Sequence, residues 1–272
     1  MQAIQLLDKL RLISGEAMSD GCSTLIRMLL FLKKKTTAAA TGNFAFLHTD
    51  MHSHLVPGID DGAGSLEDSM NMLRGFSALG YRKIITTPHV RPGYFPNTRK
   101  TILEGFEKVE TASREAEIDL ELECAAEYFV DYGFIDTAEE EGLLTFSGNH
   151  VLIELSTFSP PPDVHHTIFQ LQVKGYQPVL AHPERYVYYE GVKDFQRLKE
   201  LGCLFQMNIM SLSGHYGKTV KSFALKLLKS GLIDLFGTDC HRQQHIEELQ
   251  KIAAHKKTVK LMREAPFRNP EF

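Results

Sequence analysis

The sequence predicts an α/β protein whose parallel strands alternate with covering helices and close, or nearly close, into a barrel. Apolar strand-like runs and amphipathic helical stretches alternate about seven times after residue 43, the pattern of βα units around a parallel sheet. Polar residues able to bind cations recur at the carboxyl ends of those runs. A barrel brings all such ends to one mouth, whereas an open sheet leaves most of them far apart. The length, 272 residues, is ordinary for one such domain.

Taken in order, Phe44, Phe46 and Leu47 predict a short strand that feeds Thr49-Asp50-Met51-His52-Ser53-His54, and Pro57-Gly58 breaks regular structure. Ser65 is placed to cap a helix, with Asp68 three residues on and Leu66, Met70, Leu73, Phe76 and Leu79 as its apolar stripe before Gly80. Lys83–Thr87 reads as a strand, Arg91–Asn97 as a loop and Arg99–Ala116 as a helix. Ile118–Cys124 is a strand and Asp131–Glu141 an acidic helical insertion. His150–Leu155 is a strand, after which Pro160-Pro161-Pro162 delays the next helix to Val164–Lys174. The strands Gln177–Ala181, Cys203–Met207 and Leu232–Phe236 then alternate with the helices Val192–Leu201 and Tyr216–Ser230, and Gln244–Arg263 closes the chain as one helix.

Residues 1–43 read as an appendage, flexible or the product of an upstream start, with Met28 as the alternative initiator and the barrel running from 44 to 272. Thr24–Leu32 is apolar but interrupted by Arg27 and followed by Lys33-Lys34-Lys35. It is too short to span a bilayer, and its basic residues lie on the wrong side for a signal peptide. An amphipathic helix is the expected form. Hydrophobic residues at 43% and charged residues at 24% fit a globular protein with a sizeable core. A net charge of -4 lacks the basic footprint of a nucleic-acid binder. The cysteines Cys22, Cys124, Cys203 and Cys240 show no paired spacing, so a reducing cytoplasm is expected.

In an extended segment alternate side chains share a face, so His52 and His54 point the same way and can grip one cation. Asp61, His89, Glu127, Glu154, His182, Asp239 and His241 follow later strands or turns. Imidazole and carboxylate ligands without thiolate suit manganese, iron or zinc. Asp60 is read as a turn hydrogen-bonder and Cys240 as a packing residue. Arg91 and Arg99 are read as flanking the mouth or, by default, as solvated helix or loop charges. His48, His150, His165, His166, His215, His245 and His255 are read as surface or capping residues.

The order His-x-His, Asp, His, Glu, Glu, His, Asp-x-His resembles the PHP superfamily, named for polymerase and histidinol phosphatase. Within it, His52-Ser53-His54, Pro57-Gly58-Ile59-Asp60-Asp61-Gly62, Thr86-Thr87-Pro88-His89, Ile153-Glu154 and Ala181-His182-Pro183-Glu184-Arg185-Tyr186 resemble the metal-dependent bacterial protein-tyrosine phosphatases of capsule and exopolysaccharide clusters. The resemblance implies a distorted (β/α)7, TIM-like barrel holding two or three divalent metals, most readily manganese. By it, His52, His54, Glu127 and Asp239 hold one metal. Glu127 bridges to a second, held also by Glu154 and His182, and Asp61, His89 and His241 hold the third. Two cations bridged in this way can share a hydroxide, which makes Glu127 catalytic as well as ligating. Arg185 is expected to grip phosphoryl oxygens as a planar fork. Arg242 is a further substrate-binding candidate, although it follows His241 directly instead of standing a few residues beyond.

A cysteine-dependent tyrosine phosphatase is excluded, because the positions that would carry its loop arginine are Met28, Val130, Ile209 and Ile246. A histidinol-phosphate phosphatase, or another small-molecule phosphomonoesterase of the superfamily, is the nearest alternative. The resemblance further implies a phosphotyrosine protein as substrate, namely a bacterial tyrosine kinase at the inner membrane, met by an enzyme that is itself cytoplasmic, has no transmembrane segment and binds no nucleic acid.

Overall fold

The computed structural model describes residues 42–131, 133–136, 142–161, 163–189 and 191–272. The helix expected at Thr24–Leu32 and nearly all of the appendage lie outside the described residues, as do positions 132 and 137–141 of the expected acidic insertion. Within the described residues the strands are β1 Thr49–Asp50, β2 Lys83–Thr86, β3 His89–Val90, β4 Glu121–Cys124, β5 Glu127–Phe129, β6 His150–Glu154, β7 Gln177–Ala181, β8 Leu204–Asn208 and β9 Leu235–Gly237. The helices are α1 Leu66–Ala78, α2 Arg99–Glu115, α3 Val164–Val173, α4 Val192–Glu200, α5 Lys218–Lys229, α6 Gln243–Ala254 and α7 Lys256–Arg263.

Every strand pair is parallel, in two sheets ordered β1-β2-β4 and β3-β5-β6-β7-β8-β9. The division falls within single runs of chain. Thr87-Pro88 separates β2 from β3, since proline has no N–H to give the ladder, and Ala125-Ala126 separates β4 from β5. Hydrogen bonding continues across the breaks, from Ala125 N to Thr86 O at 2.9 Å and from Glu127 N to Pro88 O at 3.0 Å. The residues following β1 and β9 also pair. Ser53 and Cys240 form a parallel bridge, His54 N donates to Cys240 O at 2.9 Å and Asp239 N to His52 O at 2.8 Å.

Strands of parallel sheets are buried on both faces and read as continuous apolar runs; Val151-Leu152-Ile153 in β6 is fully buried. One face packs on the helices in the main core. The other supplies a smaller cluster made of Met51, Ile85, Ala125, Phe146, Leu152, Val179, Ala181 and Leu235.

Local chemistry explains most boundaries. Asp68 N donates to Ser65 Oγ at 3.2 Å, capping α1, whose Met70, Leu73 and Phe76 are buried while Leu66 in the first turn stays exposed. Asp163 caps α3 by accepting from His166 N at 2.9 Å. Three expectations are corrected. Phe44–Leu47 is a turn, closed by Leu47 N donating to Phe44 O at 2.8 Å, and its apolar residues face the core from that turn without extending β1. The closing helix is two helices, because His255 leaves the helical region at ψ 90° and its Nδ1 lies 2.8 Å from Thr258 Oγ1. The helix expected from Tyr216 begins at Lys218, which leaves Tyr216 free to face the strand ends.

Candidate metal centre

The alternation expected after β1 places His52 and His54 side by side, with their Nε2 atoms 3.1 Å apart and both rings buried. Strand register supplies the rest: His89 in β3 lies opposite Glu127 in β5, and Phe129 opposite Glu154 in β6. His182 and Asp239 follow β7 and β9 in the left-handed region, with φ 32° and 53°. Such φ values are uncommon outside glycine and persist where the surroundings enforce them. Gly62 is required for the preceding turn. A Cβ there would lie 2.5 Å from both the Cβ and the carbonyl oxygen of His54.

Glu127 is the hub. Its Oε2 lies 3.1 Å from His52 Nε2, 3.6 Å from His54 Nε2 and 3.0 Å from His89 Nδ1, while its Oε1 lies 3.1 Å from His182 Nε2. Asp239 Oδ1 completes the His52/His54 group at 3.4 and 3.5 Å. Glu154 approaches His182 and His89 at 3.8 Å each. Asp61 Oδ1 stands 3.5 Å from His89 Nε2 and 3.4 Å from His241 Nε2. The structure thus brings all the sequence-derived ligand candidates together. His89 lies between two groups, one ring nitrogen toward Glu127 and Glu154 and the other toward Asp61; a neutral imidazole offers one lone pair, so its tautomer decides which group it serves.

Charge alone makes this a demanding site. Burial would lower the imidazole of His52, yet Glu127 and Asp239 lift it to about 10. Burial and the neighbouring Glu127 push Glu154 upward, whereas His52 and His89 hold Glu127 well below the usual carboxylate range against its own burial. The donor set fits cations. Bonds to zinc of about 2.0–2.2 Å imply tetrahedral ligand–ligand edges of about 3.3–3.6 Å, and the separations above bracket that range. Ligand atoms close enough to share a cation gather in three groups: His52, His54 and Asp239; His54, His89 and His241; and His89, Glu127 and Glu154.

A second layer orients these ligands. Asp239 Oδ2 accepts from Asn208 Nδ2 at 2.7 Å, so the Asn208 oxygen faces Gln206 Nε2 at 3.0 Å and the Gln206 Oε1 is left for His52 Nδ1 at 2.8 Å. A carboxylate can only accept, which fixes both amide orientations and leaves His52 Nε2 for a cation. Asp60, as expected, bonds in the turn through Gly62 N at 2.9 Å, and it also holds His54 Nδ1 at 2.9 Å. Glu184 is fully buried, accepts from Asn208 N at 3.0 Å and Ser211 Oγ at 2.6 Å, and pins the short Pro183–Arg185 turn to the end of β8.

Above the ligands opens a cavity of about 290 Å³ whose lining includes His89, Glu154, His182, Arg185, Asp239 and His241. Arg185, whose side chain is 28% exposed, stands 3.5 Å from Asp239 Oδ2 and 5.0 Å from the Tyr216 ring centre. Arg242 is exposed on the lining. Cys240 turns away and packs on Met72, as expected. Of the two arginines, Arg91 lines the cavity beside His89, whereas Arg99 contacts Leu143 O and does not. One reading changes: His245, read as a surface or capping residue, is buried, accepts from His241 N at 3.2 Å and also lines the cavity. His215, exposed as expected, lies on the same lining.

Parallel strands whose carboxyl ends gather buried histidines and carboxylates around an open cavity define an α/β protein of the metallohydrolase class. The chain belongs to the capsular polysaccharide synthesis CpsB/CapC family, whose model matches residues 48–271. It is similar to the tyrosine-protein phosphatase YwqE of Bacillus subtilis, 33% identical over 206 residues that cover 73% of this chain and 81% of the relative. It is also similar to the tyrosine-protein phosphatase CpsB of Streptococcus pneumoniae, 29% identical over 232 residues, 81% of this chain and 96% of the relative. A solved structure from work on YwqE and CpsB, described as unique metal-dependent tyrosine phosphatases, superposes with a TM-score of 0.68 over 81% of this chain and 96% of that one, at 29% identity. The lactonase Lmo2620 of Listeria monocytogenes shares the fold at 14% identity and a TM-score of 0.51, over 83% of this chain and 92% of that one.

Proposed function

We propose that this protein is a metal-dependent protein-tyrosine phosphatase, with Glu127 as the carboxylate shared between two cations. The observation that carries the reading is the placement of the two Glu127 oxygens, one among His52, His54 and His89 and the other on His182. When bound, the cations supply phosphoryl charge neutralisation and a water of lowered pKa. The chain's own residues do the rest. Gln206 and Asp60 hold the tautomers of His52 and His54. Arg185 sits over the cavity floor, where its planar fork takes the outer phosphoryl oxygens. Arg242 adds a positive charge at the edge.

In this reading the site binds two or three divalent ions, with manganese preferred over iron or zinc. The strand runs close as a distorted (β/α)7 barrel through the Ser53–Cys240 bridge, and residues 44–272 form the working domain. The substrate is phosphotyrosine on a bacterial tyrosine kinase of capsule or exopolysaccharide synthesis, met from the cytoplasm at the inner membrane. Among the described residues no helix is long and apolar enough to cross a membrane. The test is hydrolysis by manganese-reconstituted protein of a phosphotyrosine peptide against histidinol phosphate. Higher kcat/KM on the peptide is expected; preference for histidinol phosphate would replace the reading with a small-molecule phosphomonoesterase.

A further inference from the structure

We propose that Arg91 selects phosphotyrosine sites with a carboxylate beside the target residue, an inference that rests on the tyrosine-phosphatase reading. Arg91 lies two residues after His89, on the same side of the extended chain, and lines the same cavity. Its guanidinium carbon is 4.2 Å from the ring centres of both Tyr94 and Phe129. The loop that presents it is pinned at both ends. Arg91 N donates to Phe95 O at 2.9 Å and Phe95 N to Arg91 O at 2.8 Å, while the Asn97 side chain donates to Ile59 O and His89 O at 2.9 and 2.8 Å.

Aromatic contacts occupy the faces of a guanidinium but not its N–H edge. Among the described residues no carboxylate lies within 4 Å of Arg91, and none accepts from its side chain. Arg185, by contrast, has Asp239 at 3.5 Å. The two arginines have different surroundings. Arg185 lies against the buried Asp239, whereas the Arg91 partner Tyr94 is 71% exposed, which places Arg91 toward the rim. A phosphoryl group on the floor directs the tyrosine ring up the cavity and brings the flanking peptide to that rim. There a preformed fork with free donors is matched by a carboxylate. With a net charge of -4 the protein has no general attraction for acidic peptides, so any preference must be local.

The experiment compares kcat/KM of the metal-loaded full chain on phosphotyrosine peptides differing only in flanking Glu or Gln, and on free phosphotyrosine, for wild type, Arg91→Gln and Arg91→Lys. Wild type is expected to favour the Glu peptide by about 5- to 20-fold, mostly in KM. Arg91→Gln should erase that ratio and Arg91→Lys should restore part of it, with bound metal unchanged. A wild type indifferent to the flanks, or a preference that survives Arg91→Gln, overturns the proposal. An equal loss on both peptides and free phosphotyrosine also overturns it, by assigning Arg91 to the phosphoryl group. Wild type inactive on every phosphotyrosine substrate but active on histidinol phosphate refutes the underlying phosphatase assignment instead, and the inference falls with it.

Discussion

Gln206 Oε1 stands 2.8 Å from His52 Nδ1, and that contact decides which nitrogen of the imidazole faces Glu127 and Asp239. Removing an acceptor of this kind typically costs a metal site about 10- to 100-fold in affinity. Gln206→Leu is therefore expected to weaken metal binding by that factor, measured by competition with a chromophoric chelator. Gln206→Glu keeps an acceptor at the same place and should recover part of the loss. Equal affinity in the leucine variant and wild type would mean that His52 is oriented by its backbone alone.

Gly237 makes that contact spatially feasible. A Cβ at this position would lie 2.5 Å from Gln206 Nε2 and 2.8 Å from His52 Cβ. Gly237→Ala should cost about 1–3 kcal/mol of stability, as overpacking does, and lower metal affinity as well. Thermal unfolding with and without manganese checks both. The gap between the two midpoints should narrow, because the displaced amide no longer orders the ligand.

The legible part of this protein was the part written in short-range pattern. Alternation after β1 paired His52 with His54, and the cap at Ser65 started α1 where expected. The ligand candidates His182 and Asp239 could be located after their strands, but the left-handed backbone that aims them could not, because neither residue is glycine. Gln206 and Asn208 passed unnoticed as amides at the end of an otherwise apolar strand. Their i, i+2 spacing was the available signal, and it gains meaning only once β8 lies beside β9 and His52. The sequence left Arg91 open between mouth and solvent, because one of its aromatic partners, Phe129, comes from a different strand. Phe44–Leu47 read as a strand because a buried turn and a buried strand are equally apolar.

Glu127→Gln tests the shared carboxylate. An amide replaces one anionic oxygen with an NH2 donor, so it cannot present an anionic oxygen both beside His52 and His54 and beside His182. Metal content should fall below wild type, and kcat should drop by at least about 100-fold. Elemental analysis beside steady-state kinetics decides the point. Full metal content with wild-type turnover would move the bridge to another residue, with Glu154 the nearest candidate.

Arg185 separates holding the phosphoryl group from holding the metals. Its guanidinium is only one of three neighbours of Asp239 Oδ2, the others being Asn208 at 2.7 Å and Tyr216 at 3.3 Å. Asp239 therefore stays oriented in Arg185→Ala, and metal content should match wild type. The kcat/KM on phosphotyrosine should fall by about 10- to 100-fold. If the fork tightens as charge reorganises on the phosphoryl oxygens, kcat falls; if it only docks the ground state, KM rises alone. Arg185→Lys keeps the charge but loses the planar fork, so it should recover only part of the activity. Complete recovery by lysine would reduce the role of Arg185 to a point charge, and loss of metal in the alanine variant would show that its contact with Asp239 is what the site requires.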